Sequence, residues 1–166
     1  MDINKIVAKA EENLYYEGFK KVIAFKENDY KIYFTIFLWQ EIEKAGETDR
    51  IRIWTNSIVK KGNPNPIDIL IADVKQDKIL AVINLKTWFR ELHWVEKIHH
   101  LCKGEPIAKH HFFIGYHSLD HQFKVNSFKS NMKKVFPEIE ILTRSFQEDI
   151  FYHHDIANFY RENISL

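Results

Sequence analysis

The sequence predicts an α/β domain, on three observations. Two short apolar runs rich in β-branched residues, Ile67 to Val74 and Ile79 to Lys86, flank the polar tetrapeptide Lys75-Gln76-Asp77-Lys78 and read as a β-hairpin. Stretches with apolar residues at helical spacing stand before and after that hairpin. The 166 residues, 45% apolar and 14% aromatic, exclude disorder and suit one domain with a real core spanning 1–166.

Taken in order, Ile3, Ile6, Val7, Ala10 and Leu14 have helical spacing, and Gly18 follows as a helix end. Two patterns compete over residues 19–39. Ile32, Phe34, Ile36 and Leu38 alternate as in a strand, whereas Ile36, Trp39, Gln40 and Glu43 share a helical face; a helix from about Asp29 to near Gly46 is expected. Ile51 to Val59 reads as a strand with one polar face. Asn63-Pro64-Asn65-Pro66 stiffens the approach to the hairpin, because each proline fixes its own φ and restricts its predecessor. Beyond the hairpin, Trp88, Leu92, Val95, Ile98 or His99, and Cys102 repeat at helical spacing until Gly104 and Pro106 close the segment. A strand over Ile107 to Tyr116, a helix over Leu119 to Val135, a strand over Ile139 to Leu142 and a terminal helix over Glu148 to Arg161 complete the chain. No internal repeat or linker interrupts it.

Charge and cysteine usage narrow the function classes. Lys plus Arg, 24, nearly balances Asp plus Glu, 23, so any nucleic-acid surface must be local. The single cysteine, Cys102, excludes an internal disulfide and any multi-cysteine zinc site and fits a reducing compartment. No run reaches transmembrane length and no signal-peptide stretch follows Met1, so a cytoplasmic protein without a membrane role is expected. The pairs His99-His100, His110-His111 and His153-His154 cannot each form a metal site alone, because adjacent side chains diverge on a helix and oppose on a strand. Trp54, Trp88 and Trp94 could stack on bases, but aromatics at such spacings belong more often to a core. Cys102 reads as packing rather than as a nucleophile.

The hairpin carries the chemistry. Strands this apolar on both faces are covered on both sides, so a charged Asp68 or Lys86 within them needs a reason. Side chains alternate along a strand, so Asn84 and Lys86 share a face; if Asp68 faces the same way, an acid, an amide and an ammonium group converge. Pro66-Ile67-Asp68 followed by Asn84-Leu85-Lys86 resembles the PD-(D/E)XK nuclease superfamily, which places an Asp on one strand and an acid-x-Lys triplet on the next. The predicted element order is also similar to that superfamily's core, and the resemblance implies a restriction-endonuclease-like fold, a central mixed sheet flanked by helices. Two departures stand out: one residue separates Pro66 from Asp68, and Asn84 replaces the second acid.

The resemblance implies a metal-dependent DNA endonuclease of restriction, repair or recombination type. Asp68 would supply one oxygen to Mg²⁺ and the carbonyl of Leu85 or the side chain of Asn84 another, with Mn²⁺ able to substitute, and Lys86 would orient the attacking water and help neutralise the phosphorane. Glu41, or alternatively Glu43, is the candidate third acid on the preceding helix. Asn84 admits three explanations. Glu91 on the following helix, pointing to the sheet, compensates for it, with Glu96 left among solvated charges; or catalysis has been lost and a non-catalytic nucleic-acid-binding or assembly role kept; or residue 84 was altered to trap an inactive form. Cutting both strands of a duplex with one site per chain further implies a two-fold homodimer.

Overall fold

The computed structural model describes residues 1–18, 27–57, 67–87, 89–102 and 108–146. Five strands form one mixed sheet: β1 (Ile51–Ser57), β2 (Ile67–Asp73), β3 (Lys78–Thr87), β4 (His110–Ser118) and β5 (Ile139–Phe146), lying side by side in that order. β1, β2 and β3 pair antiparallel; β4 joins β3 in parallel and β5 joins β4 in parallel. Parallel neighbours need crossover connections. These contain α3 (Glu91–Cys102) and α4 (Gln122–Val135), while α1 (Ile3–Asn13) and α2 (Glu27–Lys44) precede the sheet. The α/β expectation with a mixed, helix-flanked sheet therefore holds. Among the described residues, no helix is long and apolar enough to cross a membrane.

Two apolar clusters explain the three layers. Val7, Ala10, Phe34, Leu38 and Ile42 from α1 and α2 pack on Ile69, Ile71, Ile83, Leu85, Phe112 and Ile114. Trp94, Ile98 and Leu101 of α3, with Val125 and Phe128 of α4, pack on the opposite face against Val82, Phe113, Ile139 and Ile141. Covered on both sides, β2 is buried along its whole length, which is why it lacks a polar alternation. The ambiguous stretch before β1 is helical because Tyr30, Phe34, Leu38 and Ile42 make one buried stripe at every fourth position.

Asp73 sets the hairpin. Its Oδ1 accepts the amides of Lys75 (3.0 Å) and Gln76 (3.1 Å), and Arg50 Nη1 reaches its Oδ2. Asp77 closes the turn at φ +50°, a left-handed geometry that aspartate tolerates better than most residues. A register shift between Ile71 and Ala72 marks a bulge just inside the turn.

The inward face of α3 differs from the expected one. Trp94, Ile98 and Leu101 are buried, whereas Leu92 is 78% exposed and Glu91 lies on the surface. The apolar spacing chosen from the sequence was rotated by about one residue, some 100° on a helix. Trp94 decides the true phase by filling the hollow over Gly115. The expectations for the proline-stiffened approach, for Trp88, for the Cys102 side chain and for the terminal helix over Glu148 to Arg161 fall outside the described residues.

A Cβ at Gly115 would lie 2.3 Å from the Trp94 ring. Gly115→Ala is therefore expected to cost about 1–3 kcal/mol through overpacking. A lowered thermal midpoint checks it, and Trp94→Phe in the same background should recover part of the loss.

Candidate active site

The paired register of β2 and β3 ends at Ile69 opposite Ile83. Beyond that point side chains take over from the main-chain ladder. The Asp68 amide donates to Asn84 Oδ1 at 3.2 Å, and the Leu85 amide donates to Asp68 Oδ2 at 2.9 Å. Each side chain thus satisfies a backbone donor that the parting strands would otherwise leave buried and unpaired. Asn84 also donates through Nδ2 to the Lys97 carbonyl of α3 (3.3 Å), which anchors the strand to that helix.

Asp68 is 2% exposed, and its remaining oxygen, Oδ1, is met by Lys31 Nζ of α2 at 2.8 Å. The parting changes the strand's facing. Ile67 packs in the Trp94 cluster although Ile69, two residues on, packs in the opposite one. In a regular strand those two would share a face. The break carries the Asp68 carboxylate toward α2, while Asn84 keeps to the α3 side. Lys86, half-buried, stands in register with Gly115, the residue that Trp94 covers. The single-face convergence expected of Asp68, Asn84 and Lys86 is therefore partial: Asp68, Asn84 and Leu85 touch, but the acid addresses one layer and the amide the other.

The helical acids lie elsewhere. Glu41 bonds Asn13 (3.1 Å) and Lys44 (2.5 Å) and lines a groove of about 650 Å³ beside α1. Ten residues separate it from Lys31, about 15 Å along the axis, so Glu41 is no third acid for Asp68, and Glu43, exposed and farther on, is none either. Lys31, a cation, occupies the place the expected acid was to fill. Glu91 is exposed in the first turn of α3, about 9 Å along the axis from Lys97. It does not point to the sheet, and Glu96 is exposed as expected.

These residues do not fit a divalent cation. Magnesium wants several hard oxygens with net negative charge. The site offers one carboxylate whose two oxygens are engaged by an ammonium group and an amide, and one carboxamide oxygen turned to a backbone N–H. Among the described residues no group of three His, Cys, Asp or Glu side chains is placed to hold a metal ion. His110 and His111 point apart, one half-buried against Phe112 and the other buried.

A second polar cluster shares this end of the sheet. Buried Glu11 of α1 accepts Arg144 Nε of β5 on both oxygens (2.8 Å each) and the Tyr116 hydroxyl (3.3 Å). Arg144 stacks over Tyr15 at 5.0 Å, and Tyr116 lies against Tyr30, the neighbour of Lys31. Burial raises the Glu11 carboxyl, although the Arg144 guanidinium opposes the shift. Burial also pushes the Tyr116 hydroxyl well above its ordinary range. Glu11 stood on the apolar stripe of α1 and was the one signal available in the sequence; Lys31, Tyr116 and Arg144 carried none. On the other face, buried His117 has Nδ1 2.9 Å from the Ser118 carbonyl, leaving Nε2 without a partner among the described residues.

Comparison with family models, with curated proteins and with solved structures yields no match.

Removing one partner of a buried ion pair costs about 3–5 kcal/mol. Lys31→Ala should therefore lower stability by that order in chemical denaturation, and adding Asp68→Asn should restore most of it. If Lys31→Ala were neutral, the pair would contribute nothing to the fold.

Burial holds the imidazoles of His110, His111 and His117 below their ordinary value of 6.5. The unfolded chain binds those protons near 6.5, whereas the folded protein resists them until lower pH. Their contribution to stability is full above 6.5 and is lost as the pH falls through the depressed folded values. The thermal midpoint should drop on acidification from neutrality, and His117→Asn, which keeps a donor for the Ser118 carbonyl, should flatten that decline.

Proposed function

We propose that this chain is a DNA-binding domain built on a PD-(D/E)XK-type scaffold, whose strand-end site contacts a phosphodiester without metal-dependent cleavage. The Lys31–Asp68 ion pair carries the reading. With Lys31 already on the Asp68 carboxylate, and Asn84 neutral where that superfamily has an acid, no uncompensated negative charge is left at the site for a cation. Lys86, half-buried at the end of β3, is the cation that this reading sets against the phosphate. In this reading Asn84 is a structural tie between β2, β3 and α3, and its amide does what a carboxylate could not: donate to the Lys97 carbonyl.

A second reading is a Mg²⁺-dependent DNA endonuclease, of restriction, repair or recombination type, acting as a two-fold homodimer. It is favoured by the contact between Asp68 Oδ2 and the Leu85 amide, which sets an acid beside the strand that ends in Lys86.

Calorimetric titration with Mg²⁺ and Mn²⁺, paired with plasmid cleavage, separates the two. The natural chain should give no saturable heat and no nicking. Lys31→Met with Asn84→Glu, which removes the competing ammonium and adds a carboxylate, should gain metal binding, since affinity for hard cations follows ligand charge. Metal binding and nicking by the natural chain, both lost in Asp68→Ala, would establish the endonuclease reading instead; loss in Glu91→Gln would then make Glu91 the compensating acid.

A further inference from the structure

Among the four described α-helices, α4 alone carries lysines and no acid. Over its 14 residues the helix carries Lys124, Lys129, Lys133 and Lys134 and no acid. None of the four is in an ion pair among the described residues. Val125 and Phe128 hold the helix to the sheet, and Asn126, Ser127, Ser130 and Asn131 share the exposed side with Lys124, Lys133 and Lys134. Phe123 stands 83% exposed in the first turn.

Folding explains only part of this. Lysines in a last turn complement the helix dipole, which accounts for Lys133 and Lys134. A lysine in the first turn opposes that dipole, and Lys124 is there with no acid in the turn; Asp120, four residues earlier in the preceding 3-10 turn, makes no ion pair with it. An aromatic ring left in water gains nothing from folding, yet Phe123 is next to it. Unpaired lysines interleaved with Asn and Ser are the side chains that contact phosphate and sugar, and an exposed ring next to them offers a face for a base. The polar Asn and Ser residues between the lysines argue against a membrane, which would need an apolar stripe there.

We propose that this face of α4 binds single-stranded DNA, its lysines along the phosphates and Phe123 stacked on a base. Lys124 and Lys134 are about 15 Å apart along the axis, enough for roughly four phosphates of one strand. α4 starts beside the end of β4, next to the Lys86 end of β3, and Phe89 joins the two through its contacts with Trp94, Phe128 and His121. A strand lying on α4 is thus led to the strand-end site; this rests on the DNA-binding reading above.

Fluorescence anisotropy with a labelled single-stranded oligonucleotide over a range of KCl concentrations tests it. Lys124→Gln/Lys133→Gln/Lys134→Gln should weaken binding and reduce the slope of log K against log salt by about 2, three phosphate contacts at roughly 0.7 each. Phe123→Ala should weaken binding roughly tenfold with little change in slope. Lys124→Gln alone should not lower the thermal midpoint, since Lys124 opposes the dipole, so any loss of binding in that variant is not a loss of fold. If Lys86→Ala weakens binding while the α4 variants leave affinity and slope unchanged, the α4 surface is wrong and the DNA-binding reading stands. If the natural chain binds no oligonucleotide, both fall. Binding to phosphatidylserine vesicles but not to oligonucleotide, abolished in Phe123→Ala, would assign the face to a lipid surface instead.

Discussion

A carboxylate inside a sheet covered on both faces is the constraint from which the site end of this fold follows. Desolvating Asp68 costs several kcal/mol unless it is paired and hydrogen-bonded. Its two oxygens find Lys31 and the Leu85 amide, and both solutions shape the fold. The Leu85 amide is free to donate only because β2 and β3 part after Ile69 and Ile83. Lys31 reaches the gap only because the early turns of α2 lie over this end of the sheet, and that rotation puts Phe34, Leu38 and Ile42 into the core. Asn84 then ties the parted strands back to each other and to α3.

The same end of the sheet gathers the other buried polar groups. Glu11, Asp68, Asn84, Thr87 and His117 are there, while Asp73 serves the hairpin turn and His111 stands at the start of β4, both toward the opposite end. The Glu11, Arg144 and Tyr116 cluster fastens α1 to β4 and β5 as Lys31 and Asp68 fasten α2 to β2. Tyr30 against Tyr116 links the two networks through their aromatic neighbours. Satisfied networks of this kind fix geometry at some expense in stability. An apolar core ending in a rigid polar rim at one sheet end is what a binding site needs of its scaffold.

Much of this was readable in the chain, and the failures have physical causes. The hairpin was legible because β-branched runs broken by a polar tetrapeptide permit little else; α2 was legible as a helix but not in its phase, because the face read from Ile36, Trp39, Gln40 and Glu43 is the exposed one and the buried stripe runs through Tyr30, Phe34, Leu38 and Ile42. The site was legible only as residues: Asp68, Asn84 and Leu85 do meet. Their orientation was not, because strand alternation presumes a regular strand and the break between Ile67 and Ile69 has no local signature. Glu41 was chosen for its charge and its helix, without the axial distance that puts it far from Asp68. Glu91 was placed inward by counting from Trp88 and Val95, when Trp94 determined the phase of α3. Lys31 pairs with a residue 37 positions away, a contact that composition and periodicity cannot express.

Near-neutral net charge does not weaken the case for a polyanion, because screening makes charge a local property. At physiological salt a fixed charge is felt over about 8 Å. Glu12, Glu41, Glu47 and Asp49 lie across the sheet on α1, on α2 and in the turn after it, several already paired with Lys9, Lys44, Arg50 and Lys75, whereas Glu91 and Glu96 of α3 and Asp120 and Glu138 at the two ends of α4 are on the same side as its lysines. Across the thickness of three layers, with sheets and helices spaced near 10 Å, the carboxylates beyond the sheet are screened from anything lying on α4. A ligand there meets ammonium groups that have no ion-pair partner among the described residues, and one following the helix toward β4 passes Asp120 on the way to Lys86. Clustering of lysines on one helix that carries no acid, rather than an excess of one sign over the whole chain, is how a balanced composition presents a local basic surface.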